Sequence, residues 1–183
     1  MITILIPLAT GFEEIEAVSL IDILRRAQLK VITASLNDLE VTGANNITIK
    51  ADRYIQTIIS DEIDMILLPG GWGGTNMLAD DIFVQDLIKE MNAKNKIIGA
   101  ICAAPFALNK AGVLKGKYTC YPSVQNEISN TNYIDNLKVV EDNNIITSQG
   151  PATAMCMGLY LVKKFAGIDT YNQIKSGLLA DFC

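Results

Sequence analysis

The sequence predicts a single α/β domain over residues 1–183, with a mainly parallel sheet covered by helices on both faces. Three observations carry that prediction. Short apolar runs recur along the chain, as strands buried on both faces require. Amphipathic stretches of helical period separate them, and nearly every run ends in a turn rich in Gly, Pro, Ala or small polar residues. Half of the 183 residues are apolar and 19% are charged, which argues against disorder. A chain of this length buries roughly 70% of its unfolded surface, enough to need no disulfide or metal to hold it.

Residues 2–6 form the first apolar run, stopped by Pro7 and read as a buried strand. After Thr10-Gly11, residues 13–27 carry apolar side chains at helical spacing. Acids fill the first turn and Arg25-Arg26 the last, both favourable to the helix dipole. Residues 30–36 predict a second strand, and 39–42 with 47–50 a small hairpin around Gly43-Ala44-Asn45-Asn46. Residues 65–68 are a buried strand closed by Pro69 and the cluster Gly70-Gly71-Trp72-Gly73-Gly74, read as a turn. A helix over 82–93, a strand over 96–101 and a helix from Ala103 to Lys110 follow. Short strand pieces near Tyr118 and at 139–140 precede a strand at 145–148, and helices over 152–165 and 170–179 close the chain. This order predicts a flavodoxin-like or Rossmann-like three-layer sandwich with no dividing linker.

Composition removes whole classes of function. With 15 basic and 20 acidic side chains the net charge is −5, and the longest basic stretches are the pairs Arg25-Arg26 and Lys163-Lys164. Nucleic acid is therefore not expected as a main partner. No apolar run approaches the ~18 residues of a membrane span, and the N-terminus shows no basic leader or cleavage site, so a cytoplasmic protein is expected. The four cysteines (102, 120, 156 and 183) form no C-x-x-C pair and read as free thiols in a reducing compartment. Cys156 falls on an apolar helix face and reads as core, Cys120 stands beside Tyr121, and Cys183 reads as a mobile terminal thiol or an adventitious crosslink. Histidine is absent, which excludes a Ser-His-Asp triad, a Cys-His dyad and any His-ligated zinc or haem. No metal or cofactor is expected.

In an open parallel sheet, ligands bind outside the carboxyl ends of the strands, which selects four segments. In the sharpest, a strand enters a helix through Cys102, with Ala100 and Ala104 flanking it. This is a nucleophile-elbow arrangement with Cys in place of Ser. A helix N-terminus at the sulfur would lower its pKa. The alternative is a buried structural cysteine. In the second segment Glu13, Glu14 and Glu16 cluster at a helix start, where dipole complementarity and solvation account for two of the three. Glu13 and Glu16 share a face while Glu14 points elsewhere, and a carboxyl leaning over the strand ends beside a thiolate would have a raised pKa. The glycine cluster at Gly70 and Gly71 offers backbone donors for an oxyanion, or is a purely structural turn. It lacks the P-loop and dinucleotide fingerprints. The fourth segment spans 148–153.

Five stretches, 11–17, 22–27, 68–71, 100–105 and 147–153, together resemble the ThiJ/PfpI (DJ-one) superfamily over essentially the whole chain. Within it they are similar to the YajL-like branch that includes the parkinsonism-associated protein deglycase. The resemblance implies a flavodoxin-like fold of the class I glutamine amidotransferase type and a homodimer. It implies that Cys102 is the oxidisable nucleophile, Glu16 its protonated hydrogen-bond partner, and the amides of Gly71 and Ala103 the oxyanion donors. Arg26, Gly70, Tyr121, Gly150 and Pro151 fall where the family lines its pocket or dimer interface. Tyr121 stands where some members carry His, Ala152 where Gly is usual, and Asn45 and Gln149 where some relatives have Arg. The implied activity is a cofactor-independent glyoxalase or deglycase acting on small aldehydes (methylglyoxal, glyoxal) or glycated thiols and amines. The alternative is a redox sensor or chaperone working through oxidation of Cys102.

Overall fold

The computed structural model describes residues 2–183. Strand β1 (Thr3–Leu8) leads into helix α1 (Glu14–Arg26) and β2 (Lys30–Ser35). A hairpin of β3 (Glu40–Thr42) and β4 (Thr48–Lys50) follows, then a two-residue strand β5 (Arg53–Tyr54) and β6 (Met65–Leu68). Next come α2 (Trp72–Asp80), α3 (Ile82–Ala93), β7 (Ile97–Ile101) and α4 (Pro105–Lys110). The antiparallel pair β8 (Val139–Asp142) and β9 (Ile145–Ser148) precedes the long α5 (Ala154–Gly177).

Seven strands form one sheet in the order β5-β2-β1-β6-β7-β9-β8, parallel except for β8 at the edge. Side-chain alternation along each strand splits the core into two layers. Leu5, Ile66, Leu68 and Ile98 pack under α2, α3 and α4. Ile4, Ile6, Met65, Leu67 and Ile146 pack under α1 and α5. The result is the expected three-layer sandwich. Strands buried on both faces explain why the apolar runs lacked a polar alternation.

Four local expectations change. Pro7 does not stop β1: it lies inside the strand opposite Ala34, where β1 pairs only with β2, since pairing with β6 ends at Leu5. A missing N–H is tolerated where one side carries no ladder. The glycine cluster is more than a turn, for α2 begins at Trp72 and includes Gly73 and Gly74. Glycine is a poor helix former, but a Cβ on Gly74 would stand 2.9 Å from the Phe12 backbone and one on Gly73 3.2 Å from Gly11 Cα. Close backbone approach between α2 and the β1–α1 loop therefore overrides propensity. The helix after Cys102 starts only at Pro105, with residues 102–104 forming a turn. Finally, the two C-terminal helices join into α5 around a break at Gly167, preceded by a short 3-10 turn, Pro151–Thr153.

The reading of four free thiols is corrected. Cys156 and Cys183 are disulfide-bonded across 27 residues, so Cys183 is neither free nor a loose end. Cys156 is buried, as its helix face predicted, and Cys102 and Cys120 remain free. The pair was invisible in the spacing because the bond closes only when the tail after α5 folds back against the helix. No helix of the described residues is long and apolar enough to cross a membrane.

Candidate active site

The site sits where the β1, β6, β7 and β9 strand ends meet, the crevice predicted for an open α/β sheet. Cys102 follows β7 directly and adopts φ 63°, a left-handed conformation that costs an L-residue about 1–2 kcal/mol. The surroundings hold it there. Its N–H donates to the Ser148 carbonyl at 3.0 Å, and its own carbonyl accepts from the Tyr121 N–H at 2.9 Å. The backbone N–H groups of Gly71 and Ala103 lie near enough to the Cys102 sulfur to favour its charged form. The elbow thus presents a half-buried thiol to two amide donors.

Glu16 reaches the same point from the first turn of α1 and is fully buried. Its Oε2 accepts from the Gly70 N–H at 2.8 Å, and the carboxyl lies close enough to the Cys102 thiol for each to shift the other's titration. Its Oε1 has no hydrogen-bond partner among the described residues. Gly70 is where the two meet. A Cβ there would stand 2.6 Å from Cys102 Cβ and 2.7 Å from Glu16 Oε2, so no other residue fits between them.

Burial pushes the Glu16 carboxyl up to about 7; the Gly70 amide and the Cys102 thiol oppose this, and the charge of Glu13 adds to it. Burial also pushes the Cys102 thiol up to about 12, reinforced by the Glu16 carboxylate and opposed by the Gly71 and Ala103 amides. This corrects the expectation of a thiol acidified by a helix N-terminus. The helix starts three residues later and is only six residues long, and an adjacent carboxylate outweighs the two amides. The two groups titrate as a unit. Above about 7 they share one proton, which sits on sulfur or on the carboxyl, and the nucleophilic form is thiolate beside neutral Glu16.

The other predicted residues divide. Tyr121 is exposed, and its ring lies over Gly150, where a Cβ would approach within 3.1 Å of the ring. Pro151 continues that turn, and Ser148, Thr153 and Gly150 lock it by mutual hydrogen bonds. Ala152 is exposed, so its methyl narrows no enclosed space. Arg26 does not join the site. It pairs with Asp22 at the far end of α1, ten residues beyond Glu16 and therefore about 15 Å along the helix. Cys120 is buried in the core layer under α2–α4.

Glu14 is the residue whose sequence reading fails. Far from being solvated, it is buried, and accepts from Asn45 N at 2.6 Å, Asn45 Nδ2 at 3.0 Å and Ile47 N at 3.4 Å. It pins the β3–β4 hairpin to α1. Asn45 is thereby engaged with Glu14, and Gln149 donates to the Asp135 carbonyl. No three His, Cys, Asp or Glu residues cluster as metal ligands among the described residues.

Residues 2–164 match the family model described as the DJ-1/PfpI family. The chain belongs to the DJ-1/PfpI family. Among curated relatives, Protein dj-1beta of Drosophila melanogaster is 39% identical, with 97% of each chain covered. Glutathione-independent glyoxalase DJ-1 of Schizosaccharomyces pombe is 33% identical over 97% of this chain and 98% of its own. Among solved structures, oxidized Toxoplasma gondii DJ-1 superposes with a TM-score of 0.92 at 33% identity, covering 98% of both chains. The family thus includes a member named as a glyoxalase, and the mainly parallel α/β fold is the family's own.

Proposed function

We propose that this DJ-1/PfpI protein is a cofactor-independent glyoxalase, and that it acts on methylglyoxal and glyoxal or on the same aldehydes carried by thiols and amines. The observation that carries the reading is a strained Cys102 beside a buried, proton-holding Glu16 in a chain with no histidine. The relative named a glutathione-independent glyoxalase supports it.

The steps follow from the pair. Cys102 thiolate adds to the aldehyde carbon, a C–S bond forms, and the carbonyl electron pair becomes an oxyanion within reach of the Gly71 and Ala103 amides. The neutral Glu16 carboxyl protonates that oxygen. As carboxylate, Glu16 then removes the proton from the aldehyde-derived carbon, giving an enediolate, and returns it to the neighbouring carbon, while the hydroxyl proton on the sulfur-bearing carbon passes to the oxygen of the former ketone. The product is a lactoyl thioester, which water cleaves to lactate and free thiol. No oxidant or reductant is consumed. Lactate formation from methylglyoxal by wild type and Cys102→Ser tests the reading. The substitution is expected to remove activity, and equal rates would overturn it.

A second reading is favoured by the amides on the sulfur, which would serve equally well for the oxygens of a sulfinate on Cys102. If Glu16→Ala loses sulfinate formation under mild peroxide, by intact mass, while aldehyde turnover persists, the redox-sensing role prevails. We assign the working form to a homodimer, supported by Ile15 and Val18 of α1 and Ile47 of the adjoining hairpin, all exposed. Light scattering at twice the chain mass is the expected result.

A further inference from the structure

The three chain segments that fix Cys102 also supply the residues that line one groove. Gly71 and Ala103 supply amides to the sulfur, and Tyr121 supplies its amide to the Cys102 carbonyl. Within three residues of these along the chain stand Trp72, Phe106 and Ser123. Together with Asn76, Asn126 and Glu127 they line an open groove of about 460 Å³. Trp72 is 43% exposed, yet it is not loose, for Phe106 meets it edge to face with ring centroids 5.8 Å apart. A fixed, solvent-facing indole on the residue that follows Gly71 leaves apolar surface uncovered that a ligand can bury. No cation lines the groove, and its single ionisable lining residue is Glu127, which disfavours an anionic occupant.

We propose that this groove is the subsite for the substituent of an α-oxoaldehyde, and that the preferred substrates carry a neutral aryl group there. The proposal rests on the aldehyde reading above. With the aldehyde carbon on sulfur and its oxygen on the two amides, the substituent on the adjoining ketone carbon is the part left to reach Trp72. A methyl group falls short and leaves the groove empty, whereas a phenyl ring can lie against the indole face. The chemistry is unchanged. Thiolate adds to the aldehyde carbon of phenylglyoxal, the proton passes through Glu16 to the ketone carbon, and water releases mandelate in place of lactate.

Two measurements test this. Wild type is expected to show a kcat/KM for phenylglyoxal about tenfold or more above that for methylglyoxal. Trp72→Ala should lose about tenfold on phenylglyoxal and less than about twofold on methylglyoxal, and Trp72→Phe should recover most of the difference. An unchanged ratio, or equal losses on both substrates, overturns the subsite. The second readout needs no turnover, because the chain has 1 tryptophan and its fluorescence reports Trp72 alone. 2-Hydroxyacetophenone, an aryl ketone with no aldehyde, should quench that emission in wild type and Cys102→Ser alike, while hydroxyacetone at equal concentration should not. Absence of aryl quenching overturns the subsite even where methylglyoxal is consumed. Quenching without turnover of either aldehyde upholds the subsite and overturns the aldehyde reading instead.

Discussion

The two sides of the first turn of α1 hold the same kind of residue in opposite states. On the hairpin side, burial pushes the Glu14 carboxyl up, but the Asn45 side chain and the backbone N–H groups of Glu14, Asn45 and Ile47 outweigh burial and hold it below the ordinary carboxylate range. On the elbow side, burial dominates, because Glu16 has one amide from Gly70 and a thiol, and its carboxyl rises to about 7. Two buried acids two residues apart therefore differ by the donors they are given. The well-supplied one is a structural anion. The under-supplied one keeps its proton near neutral pH and is placed where a proton is useful.

That contrast can be broken at either acid. The largest effect is expected from Glu16→Gln, which keeps shape but holds no transferable proton. Lactate formation from methylglyoxal should fall by about 10²–10⁴-fold, with the protein still folded by circular dichroism. A loss below about threefold would place the proton transfer elsewhere.

The next effect is on stability against pH. Glu16 rises from 4.5 to about 7 on folding, so between those values the unfolded chain releases a proton that the folded chain keeps. Stability should fall as pH rises through that window, by on the order of 3 kcal/mol, and Glu16→Gln should remove the slope. Glu14 has the opposite sign. Its carboxyl is lowered on folding, so the stability it contributes is present above 4.5 and is lost as pH falls below it. Urea titrations between pH 3 and pH 8 would show both slopes, and a single monotonic slope would refute the pairing.

A smaller effect is expected from Glu14→Ala. It strands the Asn45 and Ile47 donors and frees the hairpin from α1, costing about 2–3 kcal/mol by urea titration. Rate per folded molecule should change by less than about threefold, since Glu14 touches neither sulfur nor its amides. A rate loss as large as that of Glu16→Gln would show that the two sides are one site.

Most of the sandwich was legible because strands buried on both faces carry an unmistakable apolar signature, and the turns after them marked the elbow, whereas the choice of Glu16 among three acids and of the Gly71 amide came from the resemblance. The misses have a common cause, contacts distant in sequence. Gly73 and Gly74 read as a loop until the Phe12 backbone they pack against is known. Glu14 read as solvated until the hairpin folded over it, and Cys156 with Cys183 read as unrelated thiols until the tail returned to α5. Arg26 was placed at the pocket or the dimer interface by resemblance alone, and the helix carries it away from the pocket. Trp72 gave no periodic signal, since a lone aromatic among glycines marks neither strand nor core.

The central claim is that Cys102 and Glu16 share one proton at neutral pH, and carboxamidomethylation of Cys102 by iodoacetamide tests it most directly. Labelling of residue 102, read by peptide mass between pH 5 and pH 11, should rise only towards the top of that range in wild type, since burial and the Glu16 carboxylate hold the thiol up at about 12. In Glu16→Gln the rise should begin at lower pH, because the carboxylate that opposes a second charge is gone. A wild-type profile with its midpoint near 7, or one that Glu16→Gln leaves unchanged, would contradict the account.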